Sequence, residues 1–480
     1  MKLKYIVLIL VTVGLFSCKP EINDGFVPSN GSADFSKYIA LGNSLTAGYA
    51  DGALYHSSQE AAYVNILAQQ LQEVGGSEFI QPTVNSEQGV LPGKLKLAAV
   101  NGNLSPVPAE DGELEGFYPP ISYPVNNLGV PGAKVGHLLA PGYGNIENLA
   151  AGLANPYYIR FATEPNTSVI EQALSQSPTF FSLWIGNNDV LGYASTGGVG
   201  DIITPIADFT TYYHGLAQAL ASTGAKGVLA NIPGITSAAY FNTVPPNALV
   251  ISSGLADSMN FGMLLLEAQL NGILAMAGLD DYSYGINFTA GANAFLIQDN
   301  DFPYKDLLNA IADTTTNPAT KLLLHRVQFR QMNIAAGELL ILLTPQDSLA
   351  MGMGSFMETG GTLLPFGIPD GYVLDHNEIT QVNTAILAFN SIIKDVADQY
   401  DWAFVDVNSK FNEMQDGVVY DGISLDATYV TGGIFSLDGI HLTPRGNASV
   451  SNFFIDAINL KYNAKISHVN IGNYNGVEYP

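Results

Sequence analysis

The chain has 480 residues, of which 47% are hydrophobic and only 13% charged; that length suits one large domain with insertions, or two domains, and a loop-rich globular protein better than a coiled coil or a disordered chain. Its 43 acidic and 18 basic residues give a formal charge of −25, which argues against nucleic acid and against electrostatic docking on anionic lipid. The acidic surface fits solubility in a salty extracytoplasmic medium, or a preference for neutral over anionic substrates.

Taken in chain order, Lys2 and Lys4 precede an apolar run from Tyr5 to Val11, and the segment closes on Leu15-Phe16-Ser17-Cys18. A charged start, a short apolar stretch and a small residue at the cut describe a secretory signal peptide over residues 1–17. The stretch is too short to span a bilayer as a permanent helix. Its ending resembles the lipobox of bacterial lipoproteins, which implies lipidation of Cys18 and a membrane anchor at the new N-terminus. The implied location is the bacterial cell envelope, in the outer membrane, facing the periplasm or the cell surface. An ordinary signal peptide with a chance cysteine is the other reading. Cys18 is the only cysteine, so neither an intrachain disulfide nor a cysteine-rich metal site is expected. Residues 18–36, rich in Pro, Gly, Asn, Ser and Asp, are expected to form a flexible tether, with the folded domain over 37–480.

That domain opens on a short buried strand, Lys37 to Leu41, which runs into Gly42-Asn43-Ser44. Helical spacing follows from Gln59 to Val74. An apolar run from Thr179 to Ile185 ends in Gly-Asn-Asn-Asp, a helix is expected over Ile202–Thr223, and Lys226–Ile232 is a buried strand stopped by Pro233. Leu339–Leu343 is a further apolar run; Glu378–Tyr400 reads as a long amphipathic helix, Trp402–Val407 as a strand and Asn447–Tyr462 as a last helix. Strands alternating with helices predict an α/β three-layer sandwich around a parallel sheet, with ligands at the carboxyl ends of its strands. Two stretches break the rhythm, 77–122 and 242–371. The second is either a cap over the site or scaffold decoration.

Four separated segments carry the parts of an acyl-transfer site. Gly42-Asn43-Ser44-Leu45 places a serine hydroxyl between a strand and a helix N-terminus, where developing negative charge is favoured. Asn126 to Ala133 supplies glycines that let a backbone N–H approach a ligand. Gly186-Asn187-Asn188-Asp189 delivers amides that are costly to bury without partners. Asp438-Gly439-Ile440-His441 can set a carboxylate against a ring nitrogen, fixing the tautomer and stabilising the imidazolium formed when a serine gives up its proton. Thr443 as N-cap and Pro444 at the first helical position would lock that turn. Of seven histidines only His441 has this setting.

Together the segments resemble the SGNH (GDSL-type) hydrolases, whose serine, glycine, asparagine and Asp-x-x-His blocks occur here in the family's order. The resemblance implies a flavodoxin-like fold and a serine esterase, with Ser44 as nucleophile and His441 as base, oriented by Asp438. It implies an oxyanion hole from the N–H groups of Ser44 and Gly132 and the Asn188 amide, with Gly129 competing for the place of Gly132. Neither a cofactor nor a metal is implied. Asn43 departs from the usual aspartate, keeping its shape while dropping a charge. The implied substrate is a lipid ester, or an acyl or acetyl ester on a small molecule or polysaccharide. The reading from a different class is a catalytically inactive surface-binding lipoprotein on the same scaffold. No Gly-x-Ser-x-Gly elbow, Walker loop, dinucleotide fingerprint or zinc motif occurs.

Overall fold

A computed structural model describes residues 26–89, 93–100, 102–109, 120–359 and 362–480; the expected signal peptide and Cys18 lie outside them. Strands Tyr38–Gly42 (β1), Asn127–Gly129 (β2), Phe180–Trp184 (β3), Lys226–Ala230 (β4) and Ala403–Val405 (β5) pair in parallel, in the order β5-β4-β3-β1-β2. β1 lies inside the sheet between β3 and the edge strand β2, with Ala40 opposite Asn127 on one side and Gly42 opposite Trp184 on the other.

The period-two rule divides each strand between two cores. Ile39, Leu41, Phe181, Leu183 and Leu229 face one apolar cluster. It is closed by helices Ile206–Ala221 and His376–Gln399, through Leu216, Leu220 and Phe389. Tyr38, Ala40, Phe180, Trp184 and Val228 face the other. It is closed by helices Tyr63–Gln72 and Pro444–Tyr462, through Ile66, Leu67, Phe454 and Ile455. The fold is the expected three-layer α/β sandwich. Each fully buried large side chain contributes about 1.5–3 kcal/mol relative to exposure.

Several boundaries differ from expectation for nonlocal reasons. The helix expected over 59–74 is split into His56–Glu60 and Tyr63–Gln72, because the Asn447 side chain on the last helix accepts the Tyr63 N–H at 3.2 Å. Of the run Leu339–Leu343, only Leu339–Leu340 forms a strand, antiparallel to Val373–Leu374 and outside the central sheet. In the stretch expected as a tether, Ser29 bridges to Lys465. Ala33 and Phe35 there are buried, and Phe35 meets Phe180 edge-on at 4.8 Å.

The stretch 77–122 contains the hairpin Leu95–Val100/Asn103–Pro108. The stretch 242–371 builds a separate apolar cluster from Met259, Leu266 and Leu270 of helix Ser253–Met276, with Phe288, Leu308 and Phe329. Among the described residues, no helix is long and apolar enough to cross a membrane.

Candidate active site

The winding of the sheet reverses between β1 and β3, which opens a crevice at their carboxyl ends. The segment after β1 starts helix Ser44–Ala47, and the segment after β3 starts helix Asn188–Ala194. The Asn43 side chain accepts the Leu45 N–H at 3.0 Å and caps the first helix. Asparagine serves there as aspartate would, because capping needs only the side-chain oxygen. Ser44 follows in the first turn, where N–H groups have no intrahelical acceptor.

His441 arrives from the opposite end of the chain. The Thr443 hydroxyl accepts the Gly446 N–H at 3.0 Å and donates to the Gly433 carbonyl at 2.7 Å, with Pro444 opening the last helix. The turn before it places His441 Nε2 2.8 Å from Ser44 Oγ and Nδ1 2.8 Å from Asp438 Oδ2. With a carboxylate on Nδ1, that nitrogen carries the ring proton and donates it, leaving Nε2 to accept from the serine hydroxyl.

Asp438 is held closely. Its Oδ1 accepts the N–H groups of Ile440 at 2.9 Å and His441 at 2.8 Å and the Ser436 hydroxyl at 3.2 Å; its Oδ2 also accepts the Gly52 N–H at 2.9 Å. Burial alone would push this carboxyl up. The adjacent His441 ring and the hydrogen bonds from His441 and Ile440 outweigh it and hold the group well below the usual carboxylate range. Tyr49 packs against the His441 ring with centroids 4.8 Å apart, and its hydroxyl donates to the Gly52 carbonyl.

The implied oxyanion donors are distributed unevenly. Ser44 and Asn188 line one cavity together with His441. Asn188 Nδ2 donates one proton to the Ala133 carbonyl at 2.9 Å, and its second proton remains for another acceptor. Gly129 is excluded as a donor: its N–H is taken by Asn127 Oδ1 at 2.9 Å, and a Cβ there would lie 2.4 Å from the Ala47 nitrogen. Gly132, at φ +78°, makes no such backbone bond among the described residues, on a loop tied by Asn155 to the Pro131 carbonyl at 2.8 Å. It does not itself line the cavity. Asp189 supports the same loop by accepting the Val135 N–H at 2.9 Å, and burial pushes its carboxyl up to about 6.

The cavity encloses about 540 Å³ including its open mouth. Its walls beside Ser44 are apolar: Leu45, Leu191, Ile235, Ala238, Phe411 and Phe435. No described residue of 242–371 lines it. That segment approaches the site through Leu342, which lies 3.1 Å from where a Cβ on Gly439 would be. Sequence reasoning missed these wall residues, Tyr49, Ser436 and Asp51. Asp51-Gly52 signals a turn and nothing more. Among the described residues, no group of three His, Cys, Asp or Glu side chains is placed to hold a metal ion.

No protein-family model matches the chain, and no curated protein matches it. Three of the similar solved structures are LAE5, an alpha/beta hydrolase enzyme from the metagenome of Lake Arreo, a variant of Axe2, an acetyl xylan esterase from Geobacillus stearothermophilus, and a protein described as a GDSL-like lipase from Parabacteroides merdae. LAE5 superposes with a TM-score of 0.33 at 11% identity, covering 89% of this chain and 96% of its own. The Axe2 variant gives 0.31 at 12%, covering 89% and 95%. The Parabacteroides protein gives 0.32 at 11%, covering 90% and 100%.

Proposed function

We propose that this chain is a serine esterase that hydrolyses carboxylic esters through an acyl-enzyme intermediate. The observation that carries the reading is the unbroken series Ser44 Oγ–His441 Nε2, His441 Nδ1–Asp438 Oδ2, with 2.8 Å at each link. As Ser44 Oγ attacks the ester carbon, its proton passes to His441, and Asp438 stabilises the imidazolium. The carbonyl oxygen gains negative charge opposite the Ser44 N–H and the Asn188 amide. His441 then gives its proton to the leaving alcohol. Water, deprotonated by the same imidazole, releases the acid and restores Ser44. An inactive binding scaffold has no use for this bond series.

The apolar wall supports an aliphatic acyl group as the one bound beside Ser44, and so a lipid-like ester in preference to an acetylated polysaccharide. At about 0.8 kcal/mol per buried methylene, kcat/KM for p-nitrophenyl butyrate is expected to exceed that for the acetate by about ten-fold. A phosphonofluoridate should label Ser44 and abolish the activity. Preference for acetate would turn the reading toward carbohydrate deacetylation. No hydrolysis of any ester, with no labelling of Ser44, would leave the binding lipoprotein in its place.

The anchoring reading rests on Leu15-Phe16-Ser17-Cys18. Cys18→Ser is expected to move the protein from the membrane to the soluble fraction with its specific activity unchanged. Continued sedimentation of the variant with membranes would overturn it.

A further inference from the structure

The turn Ala50–Ala53 closes on itself, the N–H of each end donating to the carbonyl of the other at 3.0 and 2.9 Å. Asp51 and Gly52 are its two central residues, at φ +52° and +77°. Aspartate is among the few side chains that tolerate that region. The turn lies a few residues beyond the nucleophile, and it meets the loop 436–441 in a reciprocal set of bonds. The Gly52 N–H donates to Asp438 Oδ2 at 2.9 Å, and the Asp51 N–H donates to Ser436 Oγ at 3.0 Å. The Ser436 hydroxyl in turn donates to Asp438 Oδ1 at 3.2 Å. In the other direction, Asp51 Oδ1 accepts the Leu437 N–H at 2.8 Å, and Asp51 Oδ2 accepts the Tyr55 hydroxyl at 2.6 Å.

We propose that Asp51 is a positioning residue for the base: its carboxylate clasps the loop 436–441, keeping the Gly52 N–H on Asp438 Oδ2 and that oxygen against His441 Nδ1. This rests on the esterase reading and adds a residue to it. Leu437 is buried, so its N–H would lose its acceptor if the carboxylate were removed. The turn would then be free to withdraw, taking Gly52 with it, and Asp438 would lose one of the donors that fix its orientation. A carboxylate set close to a second carboxylate costs burial and repulsion. Burial does push the Asp51 carboxyl up, while the Tyr55 hydroxyl and the Leu437 N–H favour its charged form.

Asp51→Gly and Asp51→Asn separate the carboxylate from the backbone. Glycine keeps the positive φ without strain and removes both acceptors. Asparagine keeps an oxygen for Leu437 and can donate its amide to the Tyr55 oxygen. Asp51→Gly is expected to lower kcat by about 10–100-fold, the range for losing an outer partner of a site residue, with KM little changed and Ser44 labelling slowed in parallel. Asp51→Asn is expected to recover most of that loss. Parental kcat in Asp51→Gly, or Asp51→Asn as slow as Asp51→Gly, would overturn the proposal. Should Asp51→Gly fail to fold, Asp51→Glu decides on the same readout, since it keeps the charge but displaces the acceptors from the Leu437 N–H: lowered kcat at constant KM supports the clasp, and unchanged kcat overturns it. A chain that loses activity in Ser44→Ala but not in Asp51→Gly keeps the esterase reading and loses this one.

Discussion

Ser44→Ala and His441→Ala are each expected to lose about 10⁴-fold or more in kcat, and the double variant hardly more than either single. The reason is geometric. Ser44 Oγ has its base at 2.8 Å, and that base has its carboxylate at 2.8 Å. A serine hydroxyl at neutral pH is a poor nucleophile until the imidazole takes its proton, so removing either partner removes the same step. Asp438→Asn should cost somewhat less, since it alters the tautomer of His441 and not the presence of the base. The measurement is kcat and KM for a short acyl ester, with thermal melting as a control for folding. His441 and Asp438 keep some solvent exposure, with side chains 13% and 15% exposed, so these changes open no large core cavity. Ester hydrolysis that persists in Ser44→Ala would end the assignment, and losses that multiply in the double variant would show two independent sites.

What was legible in the sequence is what is locally encoded. An apolar strand followed at once by a polar turn marks both the sheet and its carboxyl edge, and Ser44 and Asn188 lie at the two strand ends that frame the crevice. The capped turn before the last helix was equally local: Thr443 and Pro444 do there what their side chains dictate. The strand Asn127–Gly129 was not legible, because three residues ending in glycine look like a turn until β1 pairs with them. The run Leu339–Leu343 has the composition of a buried strand. Apolar runs of that length do not reveal which sheet they join, and this one pairs with Val373–Leu374.

The polar stretch before β1 hid Ala33 and Phe35, whose burial depends on the C-terminal segment and on Phe180. Asp51 was hidden most completely. Its partners Ser436, Leu437 and Asp438 lie at the far end of the chain, and no spacing rule relates them.

Asn188→Ala is expected to lower kcat by about 10²–10³-fold with KM little changed, the magnitude for losing one oxyanion donor. Two consequences of the structure combine in that figure. The Asn188 side chain shares the cavity with Ser44 and His441, as do Asn43 and Asn187, and its second proton is available to charge on the carbonyl oxygen. Its other proton is bonded to the Ala133 carbonyl at 2.9 Å, which ties the start of helix Asn188–Ala194 to the loop that carries Gly132. Truncation therefore removes one donor and loosens the loop beside it. Because the carbonyl oxygen of the bound ester carries little charge before attack, the loss falls on the transition state and leaves ground-state binding almost unchanged. Asn188→Asp separates these effects: it keeps the shape but presents acceptors to the Ala133 carbonyl and to the developing oxyanion, and should be at least as slow as alanine. Steady-state kinetics on a p-nitrophenyl ester across a full concentration range resolves kcat from KM. A variant with parental kcat, or one whose defect lies wholly in KM, would remove Asn188 from the oxyanion hole and leave the Ser44 N–H as the donor facing the cavity.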